Sequence, residues 1–127
     1  MHILLIHQAF ASPNEPGGTR HYELAQKLIG QGHRFTIVAS DRSYLTGERS
    51  GDEMSATAVS TNAVQVLRAY TYPSLHRSFF WRVVSFFSFM ITSVKTALGA
   101  GQVDLVMGTS PPIFQAISAW LVARIRR

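Results

Sequence analysis

The sequence predicts an α/β fold with a doubly wound parallel sheet, and three observations carry that prediction. Short apolar runs alternate with segments of helical length along the 127 residues. The first run, residues 2–7, shows no polar alternation, which is typical of a strand covered on both faces. A strand, a helix and a second strand then follow within about forty residues, the length of a βαβ unit.

The connection between the first strand and the first helix is rich in helix-breaking residues. Residues 8–18 contain two prolines and a glycine pair, so they predict a loop. Thr19 can cap the following helix, because its hydroxyl can accept a hydrogen bond from a free N–H of the first turn. Gly30 and Gly32 predict its end. The helix has one apolar stripe, formed by Leu24, Ala25, Leu28 and Ile29.

A glycine pair before a helix is also a possible anion site. Gly17 and Gly18 would let a ligand approach the backbone, and the helix start presents free N–H groups at the positive end of its dipole. Thr19 lies in the same turn, and Arg20 adds a charge that can pair with a phosphate. The alternative is that the glycines serve only the turn, and the local pattern does not decide between the two.

The rest of the chain continues the alternation of strands and helices. Strands are predicted at residues 34–39, 63–68 and 103–107, and residues 40–62 form a long polar loop. Gly99 and Gly101 end a helix over residues 78–98. Ser110 is placed to cap the last helix, with Pro111 and Pro112 in its first turn.

The helix over residues 78–98 is unusually apolar. Its narrow polar stripe is formed by Ser78, Arg82, Ser85, Ser88, Thr92 and Lys95. The internal charges of Arg82 and Lys95 argue against a membrane span, so this helix is expected either to lie at a membrane surface or to pack against another domain or subunit. On the membrane interpretation, Phe86 and Phe89 are expected to face the lipid.

Composition limits the possible functions. The length fits one domain with a core of its own. The net charge is +5, with ten arginines among twelve basic residues, but they form no stripe interleaved with aromatics, so no nucleic-acid partner is expected. There are no cysteines, and the N-terminus lacks the features of a signal peptide. A cytoplasmic location, with possible attachment to the inner face of the membrane, is therefore expected.

Two candidate site residues follow predicted strands. His7 ends the first strand and Ser110 follows the fourth, so both are expected at the carboxyl edge of the sheet, where ligands bind. Ser110 is a poor hydrolase nucleophile because Pro111 lacks an N–H for an oxyanion hole. Asp41 has the position of a ribose-binding acid, but the compact glycine turn of dinucleotide-binding folds is missing. The histidines lack zinc-ligand spacing, so no metal or cofactor is expected.

These segments together resemble a known family. The pattern HILLIHQ…PGGTRHYELAQKLIGQGHRFTIVAS, followed by VDLVMGTSPP, is similar to the N-terminal domain of family 4 retaining glycosyltransferases, particularly those that build bacterial surface polysaccharides. The resemblance covers essentially the whole chain. It implies a Rossmann-like domain, the N-terminal half of a GT-B architecture, in which two such domains face each other across a cleft.

The resemblance also implies roles. The N-terminal domain would bind mainly a polyprenyl-diphosphate-linked or polysaccharide acceptor, with Gly17 and Gly18 reaching toward the diphosphate of the nucleotide-sugar donor. The C-terminal domain that holds most of the donor is not in this sequence, so the chain alone is expected to be inactive. Many relatives carry a histidine after the fourth strand, where this chain has residues 108–110, and no catalytic residue is assigned. The alternative is a non-enzymatic membrane-associated or nucleotide-binding module, such as the remnant of a truncated gene.

Overall fold

The computed structural model describes residues 1–10, 20–42, 64–73, 78–109 and 113–126. Within them, four parallel strands form one sheet in the order β3-β2-β1-β4. The elements in chain order are β1 (His2–Ile6), α1 (Arg20–Gly30), β2 (Arg34–Ser40), β3 (Gln65–Ala69), α2 (Phe79–Leu98), β4 (Leu105–Gly108) and α3 (Phe114–Ile125). The predicted α/β fold with a parallel, Rossmann-like sheet is therefore confirmed.

Strand β1 lies inside the sheet and is buried on both faces, as its unbroken apolar run predicts. Successive side chains of a strand point to opposite faces, and the two hydrophobic clusters follow that alternation. Ile3 and Leu5 belong to the cluster that contains Ala25 of α1. Leu4 and Ile6 belong to the cluster formed with α2 and α3. Helix α1 thus covers one face of the sheet, and α2 and α3 cover the other.

Helix α1 ends as its glycines predict. Gly32 adopts a positive φ of 91°, a conformation that glycine reaches without the steric cost of a Cβ. The N–H of Gly32 donates to the carbonyl of Ile29, and the N–H of His33 donates to the carbonyl of Leu28. These two bonds satisfy carbonyls that the helix end would leave without partners.

The start of α3 differs from the prediction. The helix begins at Phe114, with Ile113 at the N-cap position, so Ser110 is not its cap. Ser110 itself lies outside the described residues. The last strand is also shifted, because β4 begins at Leu105 rather than at residue 103. Asp104, which was placed in that strand, instead binds the backbone of His2, with Oδ2 2.7 Å from its nitrogen.

Helix α2 buries small polar residues and exposes aromatic ones. Its buried positions are Ser85, Phe89, Ser93 and Ala97. Ser93 Oγ donates to the carbonyl of Met90 and lies 3.2 Å from Ser118 Oγ of α3. The expectation that Phe89 faces outward is wrong, because its side chain is only 1% exposed. Hydroxyls that bond within the helix can be buried, since their hydrogen-bonding groups remain satisfied.

Large apolar side chains instead lie on the outer surface of the two helices. Phe86, which was also expected to face the lipid, stacks on Phe114 of α3, with ring centroids 5.8 Å apart. It therefore contributes to the packing of α2 against α3. Those exposed are Phe79, Phe80, Trp81, Phe87, Ile91, Leu98, Ile113, Ile117, Trp120 and Ile125. No helix in the described part of the chain has the length and apolar character needed to cross a membrane.

Candidate functional site

The candidate site lies where β1 and β4 end side by side. The two strands pair in parallel, with Ile6 opposite Gly108, so His7 and Thr109 emerge together at the carboxyl edge of the sheet. The chain leaves β1 toward α1 on one face and leaves β4 toward α3 on the other. Such a topological switch point opens a crevice between the two connections, and ligands of open α/β sheets bind there.

A chain of hydrogen bonds joins the two strand ends to α3. His7 Nδ1 lies 2.7 Å from Thr109 Oγ1, and Thr109 Oγ1 donates to Gln115 Oε1 over 2.6 Å. Gln115 Oε1 also accepts the backbone N–H of Gln8 over 3.0 Å. Gln115 is 1% exposed, so these bonds satisfy an amide oxygen that water does not reach. We call His7, Thr109, Gln115 and the Gln8 N–H the strand-end relay.

The ring of His7 also contacts the first turn of α1. Its centroid lies 4.0 Å from that of His21. Burial, together with the positive charges of His21 and Arg20, lowers the pKa of His7 to about 4. Burial and Arg20 likewise lower the pKa of His21. His7 is therefore uncharged at neutral pH and offers a ligand a hydrogen bond rather than a charge.

The structure places only part of the predicted site. His7 lies at the strand edge as expected, and Arg20 is exposed at the first position of α1. Gly17, Gly18, Thr19 and Ser110 lie outside the described residues. The anion site predicted for the glycine pair therefore stays a prediction, and so does a ligand contact by Ser110.

Thr109 and Gln115 were missed as site residues. Thr109 directly precedes Ser110, which was considered as a nucleophile, and Gln115 lies in the last predicted helix, where no site residue was predicted. A glutamine in the first turn of a largely apolar helix is the sequence feature that could have indicated it, since an amide that becomes buried requires hydrogen-bond partners. One of its partners, the backbone N–H of Gln8, comes from a strand end 107 positions away, which no local pattern shows.

The ends of β2 and β3 form a second polar cluster with a structural role. Asp41 Oδ1 accepts the backbone N–H of Thr71 over 3.0 Å, and Ser40 Oγ donates to Thr71 Oγ1 over 2.8 Å. Asp41, which has the sequence position of a ribose-binding acid, therefore binds the backbone of Thr71, just beyond the end of β3. Within the described ranges, no three His, Asp or Glu side chains are grouped so that they could hold a metal ion.

Comparison with protein-family models, with curated proteins and with solved structures gives no match to this chain in any of the three.

Proposed function

We propose that this chain is the acceptor-side domain of a retaining glycosyltransferase, which moves a sugar from a nucleotide sugar to a lipid-linked or polysaccharide acceptor. The observation that carries the proposal is the strand-end relay, an uncharged histidine held by hydrogen bonds at the switch point of a parallel sheet. The resemblance of the glycine loop and of residues 103–112 to family 4 enzymes supports the same function.

The chemistry of the site suits such a substrate. A sugar is uncharged and rich in hydroxyls, so a neutral ring nitrogen is a better partner for it than an imidazolium. Arg20 supplies the positive charge nearby, at the N-terminus of α1, where backbone N–H groups and the helix dipole favour an anion. The proposal assigns the hydroxyls to His7 and the donor diphosphate to Arg20 with Gly17, Gly18 and Thr19.

In this proposal, the domain forms one side of the active-site cleft. Transfer requires the anomeric carbon of the donor to lie beside the acceptor while the departing nucleotide diphosphate is stabilised. A second Rossmann-like domain would hold most of the donor. These residues alone are therefore proposed to bind an acceptor without transferring sugar to it.

Helices α2 and α3 supply the partner surface that a lipid-linked acceptor requires. Phe87, Ile91 and Trp120 are 44%, 67% and 63% exposed. Neither helix contains an acidic residue, whereas Arg82 and Lys95 of α2 are exposed. Apolar side chains with only positive charges beside them complement an anionic lipid surface. We propose that this surface attaches the domain peripherally to the cytoplasmic face of the membrane.

The exposed apolar helices also favour a second candidate, a membrane-associated binding module without enzymatic activity. The two candidates differ in their ligands. A glycosyltransferase domain must distinguish the saccharide of its acceptor, whereas a membrane module needs only the lipid surface.

Equilibrium binding of the 127-residue chain separates the candidates. The probes are polyprenyl diphosphate with and without a linked sugar, in nanodiscs of one lipid composition, and a panel of free nucleotide sugars. We expect tighter binding with the sugar present and only weak binding of nucleotide sugars, near the millimolar Kd that corresponds to roughly −4 kcal/mol. Equal binding of the two lipids would favour the membrane module, and tight binding of a nucleotide sugar would contradict the acceptor-side assignment.

A further inference from the structure

The strand-end relay contains enough donors and acceptors to fix where its protons lie. The backbone N–H of Gln8 can only donate, so the side-chain atom of Gln115 that lies 3.0 Å from it must be the amide oxygen. The same oxygen lies 2.6 Å from Thr109 Oγ1. Two oxygens at that distance require a proton between them, and the amide oxygen has none to give.

The single hydroxyl proton of Thr109 is therefore directed to Gln115. Among the residues that the structure describes, the carbonyl oxygen of Ile6 also lies near this hydroxyl, at 3.5 Å, and it too can only accept. With its proton so directed, Thr109 Oγ1 presents lone pairs to His7 Nδ1, which lies 2.7 Å away. The His7 nitrogen must then carry the hydrogen.

We infer that Gln115, acting through Thr109, is a positioning residue that fixes His7 as the Nδ1–H tautomer, so that Nε2 presents a lone pair to a hydroxyl or N–H group of a ligand. The second ring nitrogen of a neutral histidine is an acceptor once the first carries the hydrogen. A phosphate oxygen without a proton cannot bind to it, because two lone pairs would meet. The ligand group at His7 is therefore a hydrogen-bond donor, and the nearby charge of Arg20 disfavours a cationic one.

The groups around His7 agree with that assignment. On α1 it faces His21, and the charge of Arg20 acts on it, so a proton added to the ring is disfavoured. After β4 its partner is the uncharged Thr109, which in turn binds the uncharged Gln115 of α3. The choice of a sugar hydroxyl as the ligand group rests on the function proposed above, whereas the tautomer does not.

Nitrogen NMR of the whole chain, labelled with [¹⁵N]histidine, tests the inference directly. The resonances of His7 are identified by their loss in His7→Asn. At pH 7 we expect Nδ1 to give a pyrrole-type shift and Nε2 a pyridine-type shift. In Gln115→Leu the Thr109 hydroxyl loses its acceptor and turns to His7 Nδ1, so the two shift types should exchange. Gln115→Glu keeps an acceptor oxygen and should keep the original pattern.

Two results would overturn the positioning role. One is an Nε2–H tautomer in the unmodified chain, and the other is a folded Gln115→Leu variant with unchanged histidine shifts. If Gln115→Leu does not fold, Thr109→Val and Thr109→Ser replace it. Valine removes the acceptor of the Nδ1 hydrogen and should abolish the Nδ1–H preference, whereas serine should keep it. An unchanged tautomer in Thr109→Val would contradict the inference.

Titration with neutral hexoses and with inorganic sulfate, an anion that carries no proton at pH 7, tests the ligand class on the same labelled protein. We expect a hexose to shift the Nε2 resonance and sulfate to leave it unchanged. A shift with sulfate alone, or with neither probe, would contradict the ligand assignment at His7. The tautomer experiment is independent of sugar transfer, so its failure and the failure of the proposed function can be told apart.

Discussion

Gly108 lies against Ala119 with no room for a side chain between them. A Cβ on Gly108 would lie 2.9 Å from the Cβ of Ala119, 2.9 Å from the carbonyl oxygen of Gln115 and 3.2 Å from the Cα of Ala116. Two of these are backbone atoms of α3, which cannot turn aside as the end of a long side chain can. The close approach places Gln115 beside the ends of β1 and β4, so the glycine supports the strand-end relay.

Gly108→Ala should therefore destabilise the fold and disturb the relay. We expect a loss of about 1–3 kcal/mol in the free energy of unfolding, the usual cost of forcing extra atoms into a packed interior. Chemical denaturation measures it. Gly30→Ala is the control. No atom lies within 4 Å of its added Cβ, and alanine has a higher helix propensity than glycine at this last position of α1. If the two variants were equally stable, α3 would accommodate the added methyl group at no cost in free energy, which would contradict the prediction.

The free energy of unfolding should decrease as the pH falls from 6.5 to about 4. The pKa of folded His7 is about 4, compared with its usual value of 6.5. In that window the unfolded chain binds a proton that the folded chain does not, so acid favours unfolding. Above pH 6.5 the contribution is fully present. The lowered pKa of His21 acts in the same direction.

His7→Asn should flatten this dependence without abolishing it. The asparagine amide can donate to Thr109 Oγ1 in place of Nδ1 but does not titrate, and His21 remains. Denaturation at a series of pH values gives the slopes of both proteins. The same slope in both would contradict the assignment of the lowered pKa to His7.

The buried contact between Ser93 and Ser118 should tolerate loss of a hydroxyl better than added volume. Both side chains are fully buried, and their oxygens lie 3.2 Å apart. Ser118→Ala removes hydrogen bonds within and between the helices, with an expected cost of about 1 kcal/mol. Ser118→Leu should cost about 1–3 kcal/mol more, because α2 and α3 would have to separate. Thermal and chemical unfolding measure both, and a milder effect of leucine would contradict the close packing.

Anionic vesicles should bind the chain through the outer face of α2. Phe87 and Ile91 are exposed there, so Phe87→Glu combined with Ile91→Glu should release the protein, because charges replace apolar groups at the lipid boundary. Leu24→Glu is the matched control, since Leu24 is an exposed apolar residue on α1, across the sheet. Co-sedimentation with phosphatidylglycerol vesicles measures binding. If the unmodified chain stays in solution at low salt, the face packs against protein instead.

The strands and helices could be predicted because their causes are local. The apolar run of β1, the two glycines after α1 and the length of α2 each determine an element within a short window. The orientation of α2 could not be predicted in the same way. Ser85 was assigned to the polar stripe of the helix but is buried, and Ser93 is buried as well. The Ser93 hydroxyl donates to a carbonyl of its own helix, so it does not need water, and sequence polarity does not show that bond.

The candidate site was predictable in position and not in composition. The rule that parallel strands present ligands at their carboxyl edge located His7. Thr109 reaches His7 only after β4 pairs with β1, and Gln115 reaches the strand ends only after α3 packs on Gly108. The hydrogen bonds from His7 to Thr109 and from Gln8 to Gln115 span 102 and 107 positions of sequence.

Sugar transfer with and without a second domain tests the central claim most directly. The assay follows a radiolabelled sugar from a panel of nucleotide sugars to polyprenyl-diphosphate-linked acceptors. The chain is tested alone and joined to the C-terminal domain of a family 4 glycosyltransferase. We predict no transfer by the chain alone, transfer by the joined protein, and a marked loss of that transfer in His7→Phe. Robust transfer by the chain alone, or none by any folded joined protein, would contradict the assignment of these residues to the acceptor side of a glycosyltransferase.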